Sequence, residues 1–88
     1  MKQSAIVAGR SYTRGGTWAD RKYEGEWDME TGEKPELISE TLLPMFRFVL
    51  DVFHGASGEW VAYQLPWGRI RVGRLSGFAR WAKSEYQP

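Results

Sequence analysis

The most regular alternation of apolar and polar positions lies in the second half of the chain, and residues 45–53 are its most hydrophobic part. This run fits a helix, because four apolar side chains follow helical spacing: Phe46, Val49, Leu50 and Phe53. It also fits a strand, because its aromatic and β-branched residues alternate between two sides. The Gly-rich HGASG connection and the strand-like EWVAYQL run that follow favour two strands joined as a hairpin.

A third strand is predicted after the Pro66-Trp67-Gly68 turn, over residues 69–75. In this segment Ile70 and Val72 face one way, while Arg69, Arg71 and Gly73 face the other. Residues 46–75 are therefore expected to form a three-stranded antiparallel meander.

A closing helix is expected after this meander, with Ser76 as its N-cap because a Ser hydroxyl accepts from first-turn amides. Its buried arc would hold Phe78, Ala82 and Tyr86, with Trp81 at the edge. Arg80 and Lys83 would lie one turn apart on the opposite arc.

The first half of the chain has a less regular pattern. Residues 5–13 predict a short strand interrupted at Gly9, and residues 14–16 predict a turn. Residues 17–23 are ambiguous, whereas residues 23–29 alternate, with acids on one side, as in a half-exposed strand. Residues 35–43 predict either a short helix opened by Pro35 or a structured loop.

These elements predict an α+β fold that is mainly β, in one domain spanning residues 1–88. The expected architecture is a small antiparallel sheet, or an SH3-like or OB-like partly closed barrel, of about five strands with a short C-terminal helix. A chain of 88 residues without cysteine has a small core and no disulfide to support it. Most of its five Trp are expected in that core, with one or two on a binding face.

Charge divides the chain into an acidic and a basic part, although the net charge is only +1. Residues 23–40 hold seven acids and one Lys, and residues 66–83 hold five cations and no acid. Three alternatives remain open: the molecule presents two charged poles to partners, the poles neutralise each other within the fold, or the charges only solvate two faces of the surface.

Catalytic chemistry is not predicted, because recognisable arrangements of catalytic residues are missing. His54 is the only histidine and is expected at a hairpin loop; without cysteine there is no zinc signature. No serine lies in a nucleophile elbow, and no glycine run ends as a phosphate-binding loop does. We therefore expect a protein that is not an enzyme and needs no cofactor. The lack of a secretory signal and of a bilayer-length apolar run predicts a cytoplasmic protein without membrane contact.

Two charged surfaces are the candidate binding sites. The first is an acidic strand face that would enter a basic groove on a partner: Glu24, Glu26, Asp28 and Glu30. The second is a basic surface that would hold a partner or single-stranded nucleic acid, with Trp67 stacking on a base: Arg69, Arg71, Arg80 and Lys83. Trp, Tyr and Arg are also the residues that dominate protein–protein hot spots.

The last third of the chain resembles small uncharacterised phage and prophage accessory proteins, in which a strand runs into a Ser followed by Phe and a Trp-Ala pair. Ser76, Phe78, Trp81 and Ala82 carry this resemblance. It implies a phage or mobile-element origin and favours an inhibitor of a host defence complex.

The sequence thus predicts a non-enzymatic binding protein that engages a host protein or nucleoprotein complex through charged and aromatic residues. The alternatives are a nucleic-acid-binding barrel and a virion or assembly component that forms homo-oligomers.

Overall fold

The computed structural model describes residues 1–88 and contains seven strands, one α-helix and one short 3-10 helix. The 3-10 helix spans Gln3–Ala5, and α1 spans Leu75–Trp81. The strands in chain order are β1 Ser11–Thr13, β2 Thr17–Glu24, β3 Glu36–Pro44, β4 Arg47–Gly55, β5 Gly58–Gln64, β6 Ile70–Arg74 and β7 Ser84–Tyr86. The predicted class, α+β and mainly β with antiparallel pairing, is confirmed.

Five strands form the main sheet in the order β6-β5-β4-β1-β7, and all neighbours are antiparallel. The predicted meander is confirmed as β4, β5 and β6, so the strand interpretation of residues 45–53 is correct, with β4 beginning at Arg47. The turn between β4 and β5 is tighter than expected, because His54 pairs with Glu59 and Gly55 with Gly58. His54 therefore lies in a strand, which corrects its predicted place in a loop.

The sheet is open, because its order ends at β6 on one side and β7 on the other. No closed barrel is found, and the barrel part of the prediction is not confirmed. Closure would need β6 and β7 to pair, and these two edge strands do not pair with each other.

The core lies on one face of this sheet, under α1. Its ten buried residues are Ile6, Tyr12, Val49, Val61, Tyr63, Leu65, Leu75, Phe78, Ala79 and Ala82. Phe78 is the centre of an aromatic cluster, since its ring lies 5.8 Å from Tyr12, 5.2 Å from Tyr63 and 5.6 Å from Trp81. One helix of seven residues thus closes the whole core.

The predicted Trp-rich core is wrong, because none of the five Trp is fully buried. Trp18, Trp60 and Trp81 are half-buried, and Trp27 and Trp67 are exposed. A core covered by one short helix is filled by smaller rings and aliphatic side chains, so the indoles pack around its margin.

The C-terminal segment differs from the predicted helix in three ways. Ser76 lies inside α1 and not at its N-cap, which is Arg74 without a side-chain cap bond. The helix ends at Trp81, and Ser84–Tyr86 forms a strand. Tertiary contacts explain why the helix does not continue, because β7 pairs with β1 and the ring centroid of Tyr86 lies 4.8 Å from that of Phe46. Phe78 and Ala82 are buried, with Trp81 half-buried, as predicted.

Strands β2 and β3 form a second, two-stranded sheet inserted between β1 and β4. We call residues 17–44 the arm, and residues 25–35 at its far end the tip. The arm makes the molecule long: its largest extent is 50 Å and its radius of gyration is 17.0 Å, against about 12 Å for a compact chain of this length.

The arm corrects two predictions. Residues 23–29 are not one strand, because β2 ends at Glu24 and Gly25 adopts a positive φ of 90°. Residues 35–43 are neither helix nor loop, because they pair with β2 as β3. Cross-strand pairing determines the secondary structure of this segment, and it overrides the weak helical period of the sequence.

Because Phe78 connects the helix to the sheet, we expect Phe78→Ala to lower the free energy of unfolding by about 3–5 kcal/mol. Phe53→Ala, which truncates an exposed ring on β4, is the control and should cost far less. Urea denaturation followed by tryptophan fluorescence measures both. Equal losses in the two variants would contradict a core centred on Phe78.

Candidate interaction surface

The arm leaves the main sheet at a defined bend. Gly15 and Gly16 both have positive φ, 92° and 83°, a conformation that other residues rarely adopt. The Thr13 hydroxyl donates to the Met45 carbonyl at 2.7 Å and accepts from the Gly15 N–H at 3.0 Å. The same side chain therefore joins both ends of the insertion, and the predicted turn at residues 14–16 is confirmed.

The base of the arm is held by two indole rings. Trp18 on β2 packs against Trp67 in the β5–β6 turn, with ring centroids 5.3 Å apart. Trp67 was predicted to stack on a nucleic-acid base. In the structure its ring already packs against the indole of Trp18. It remains 49% exposed, so it anchors the arm and still contributes to the surface.

Apolar side chains lie in the open along one face of the arm. Cross-strand pairing places Ala19 opposite Leu42 and Tyr23 opposite Leu37, on the face that also carries the Arg21–Glu40 pair. Leu42, Tyr23 and Leu37 are each about half exposed or more. Ile38 has no cross-strand partner, because the register shifts there, and it too is exposed. The sequence analysis did not identify these four as surface residues. They would have been found only by recognising that residues 17–24 pair with residues 36–44.

One ion pair crosses the arm on this face. Arg21 Nε donates to Glu40 Oε2 at 3.1 Å. This hydrogen bond, together with the charge of Glu40, raises the pKa of Arg21 above its ordinary value. Both side chains are exposed, so the pair contributes little to the stability of the fold.

Asp28 organises the tip. Its Oδ1 accepts from the N–H groups of Glu30 at 2.9 Å and Thr31 at 3.2 Å. These backbone hydrogen bonds, followed by one from the Thr31 side chain, hold the pKa of Asp28 below its ordinary value. A lowered pKa means that the charged form, and the contacts it accepts, persist until pH falls through that pKa. At neutral pH the tip is therefore ordered around a carboxylate.

Two large apolar side chains stand out from this tip. Met29 is 90% exposed and Trp27 is 61% exposed, with Lys34 over the indole ring at 5.9 Å. Apolar side chains as exposed as these, next to acids, are typical of a surface that a partner covers.

The predicted acidic residues lie together at the far end of the arm, but not on one strand face. Glu24 ends β2, directly opposite Glu36, and the other three are in the tip: Glu26, Asp28 and Glu30. The prediction of a single strand face is wrong because β2 stops at Glu24. The Glu24–Glu36 pair places like charges opposite each other, which is unfavourable without a cation between them.

The predicted basic residues lie on two elements and in two connecting segments. Arg69 precedes β6, Arg71 is on β6, Arg80 is on α1 and Lys83 follows the helix. Lys83 is not on the helix with Arg80, because its N–H donates to the Thr13 carbonyl at 3.0 Å as the chain turns into β7. The predicted pairing of these two on one helical arc is therefore wrong.

The two charged poles do not neutralise each other within the molecule. The ion pairs are Arg10–Glu85, Arg21–Glu40 and His54–Glu59, and none joins the far end of the arm to the basic residues. The structure therefore has separated charged regions, as expected both for poles that meet partners and for faces that are only solvated.

Arg47 adds an unpredicted cation beside this basic surface. Its guanidinium lies 3.8 Å from the Trp81 ring centroid and 4.8 Å from that of Tyr63, and its Nε is buried without a partner. Burial lowers the pKa of Arg47, the Tyr63 group opposes that shift, and the charge of Arg71 adds to it. The region thus concentrates positive charge without a carboxylate.

The remaining concave and titratable features are modest. A shallow cavity of about 290 Å³ is lined by Ser11, Phe46, Phe48, Gln64, Leu65, Pro66 and Gly68. His54 Nδ1 lies 2.6 Å from Glu59 on an exposed strand pair, away from this cavity's lining. No group of three or more His, Asp or Glu side chains is arranged to hold a metal ion.

Comparison with known proteins gives no relative: no protein-family model, no curated protein and no solved structure matches this chain. None of its helices has the length and apolar character needed to cross a bilayer.

We expect Trp67→Ala to loosen the base of the arm. Loss of an aromatic pair contact worth about 0.5–1.5 kcal/mol raises the open population, and hence tryptic cleavage after Arg21 and Lys22, by roughly two- to ten-fold. Ile70→Ala, which changes an exposed side chain on the neighbouring strand, is the control. Equal cleavage rates in the two variants would show that the Trp18–Trp67 contact does not hold the arm.

Proposed function

We propose that this protein is a non-enzymatic binding protein whose arm tip enters a positively charged groove of a partner protein or nucleoprotein complex. The single observation that supports this proposal most is the tip itself. Trp27 and Met29 project there among the acids of the arm, at the far end of an elongated molecule. Aromatic and Met side chains are enriched in interfaces, and acids select a basic counterpart.

The order of the tip supports binding as its role. Asp28 accepts two backbone hydrogen bonds, and two further backbone bonds close the tip: Gly32 N–H to the Asp28 carbonyl and Asp28 N–H to the Glu33 carbonyl. A loop that is already ordered loses less conformational entropy when it binds. The tip is thus suited to present Trp27 without rearrangement.

An inhibitor of a nucleic-acid-handling complex is the form of this function that the chemistry favours. A groove that binds phosphates is lined by Lys and Arg, and the acids at the far end of the arm are complementary to such a groove. The resemblance of the last third to phage and prophage accessory proteins supports a host complex as the target. In this proposal the arm competes with nucleic acid by charge.

The test is affinity capture from host lysate with wild-type protein and with a tip variant carrying Glu26→Lys, Trp27→Ala and Glu30→Lys. These changes leave Asp28, which organises the tip, in place. We expect the tip variant to lose the captured protein, because both the charge and the indole that contact the groove are gone. A control variant reverses two acids outside the arm, Glu59→Lys and Glu85→Lys, and should retain capture.

Nuclease treatment of the lysate separates the two classes of partner. Protein capture that survives nuclease and depends on the tip supports the proposal. Capture unaffected by the tip changes would contradict it. Capture that nuclease abolishes would favour the second candidate, nucleic-acid binding through the basic surface. The observation that supports this candidate is that the cations of that surface have no carboxylate partners.

A further inference from the structure

Three strands of this molecule have a free edge long enough to pair with another strand. β6 pairs only with β5, and β2 and β3 pair only with each other, so each has an outer row of backbone groups without a strand partner. The other edge strand of the main sheet, β7, spans only Ser84–Tyr86. Unpaired edges are where another chain adds a strand.

The edge strand β6 has two different faces. Ile70 and Val72 project from one face and are 59% and 60% exposed. Arg71 projects from the other face, opposite Tyr63 and towards Arg47, and Arg69 immediately precedes the strand. A strand that pairs well with this edge must have apolar side chains on one face and carboxylates on the other.

Strand β3 comes near this arrangement. Its exposed apolar side chains Leu37 and Leu42 share one face with Glu40, whose charge is paired with Arg21. Glu36, Ser39, Thr41 and Leu43 lie on the other face, and the strand contains no Lys or Arg. Aligning β3 with β6 therefore puts Leu37 and Leu42 on the side of Ile70 and Val72, and Glu36 on the side of Arg71.

Each strand also carries like-charge repulsion that the other would relieve. Glu24 and Glu36 are direct cross-strand partners at the end of the arm without an ion-pair partner. Arg71 lies close enough to Arg47 for their charges to oppose each other. Bringing the two regions together replaces two repulsive contacts with attractive ones.

Other pairings satisfy these constraints less well. Pairing β6 with the β6 of another molecule would bring together two strands that contain arginines and no acid. Strand β2 contains Asp20 and Glu24 but also Lys22, which the guanidinium groups of β6 would repel, whereas β3 contains no cation. The two-stranded arm is also the part of the fold that most needs a neighbour, since an isolated hairpin is marginal in water.

We propose that the outer edge of β3 in one molecule pairs with the outer edge of β6 in a second copy of this chain. Two such contacts related by a two-fold axis form a closed dimer in which each arm lies along the other molecule's main sheet. The contact uses the paired strands of the arm and leaves the tip, residues 25–35, outside it. This inference therefore does not depend on the proposed function.

The test is a charge swap followed by sedimentation velocity over a range of concentrations. One variant reverses the arm (Glu24→Lys, Glu36→Lys) and the other reverses the edge strand (Arg69→Glu, Arg71→Glu). We expect wild-type protein to form dimers, and each variant alone to have a dissociation constant raised about ten-fold or more, because like charges then meet in both contacts. An equimolar mixture should dimerise again, since the reversed arm meets the reversed strand and both wild-type surfaces remain complementary.

The tip variant of the capture experiment is the control and should dimerise like the wild type. Restored association in the mixture supports the proposal, because a folding defect in either variant would not be repaired by mixing. Wild-type protein that stays monomeric at high concentration would overturn it. So would dimers that persist in both variants, or a mixture that fails to associate. A monomer that still captures its partner through the tip would overturn this inference and leave the proposed function standing.

Discussion

The rest of this structure depends on a core that covers only one face of the sheet. Ten buried residues, closed by a helix of seven residues, make up that core, and Phe78 joins the helix to both Tyr12 and Tyr63. A chain this short, with so much of its length in the arm, has no element left to cover the opposite face. The Trp rings therefore pack at the margins, and the other face keeps Ile70 and Val72 in the open.

The arm likewise lacks other elements to pack against. Trp18 and Trp67 fasten its base, but beyond that point β2 and β3 have only each other. Its exposed leucines and its unrelieved Glu24–Glu36 pair are unfavourable in an isolated molecule and become favourable against a surface of matching character. The two charged regions stay separate within one chain, since no ion pair joins them.

The sequence predicted those parts of the fold that local pattern determines. The alternation of Ile70 and Val72 with arginines defines β6, and the Gly-rich turn after residue 54 defines the hairpin that precedes it. Long-range pairing decided the rest. Leu37 and Leu42 fit a helical period until β2 pairs with β3, and Tyr86 fits the helix until β7 pairs with β1. The acids were predicted as one strand face because a positive φ at Gly25 is not visible in an alternating pattern.

If a second copy of the chain completes the free edges of β3 and β6, the amides of these strands join a new ladder and exchange more slowly. Hydrogen exchange followed by mass spectrometry, on wild-type protein at low and at high concentration, measures this. We expect peptides from β3 and β6 to gain protection together as concentration rises, while the tip stays unchanged. Protection of β3 and β6 that is the same at every concentration would rule out this pairing.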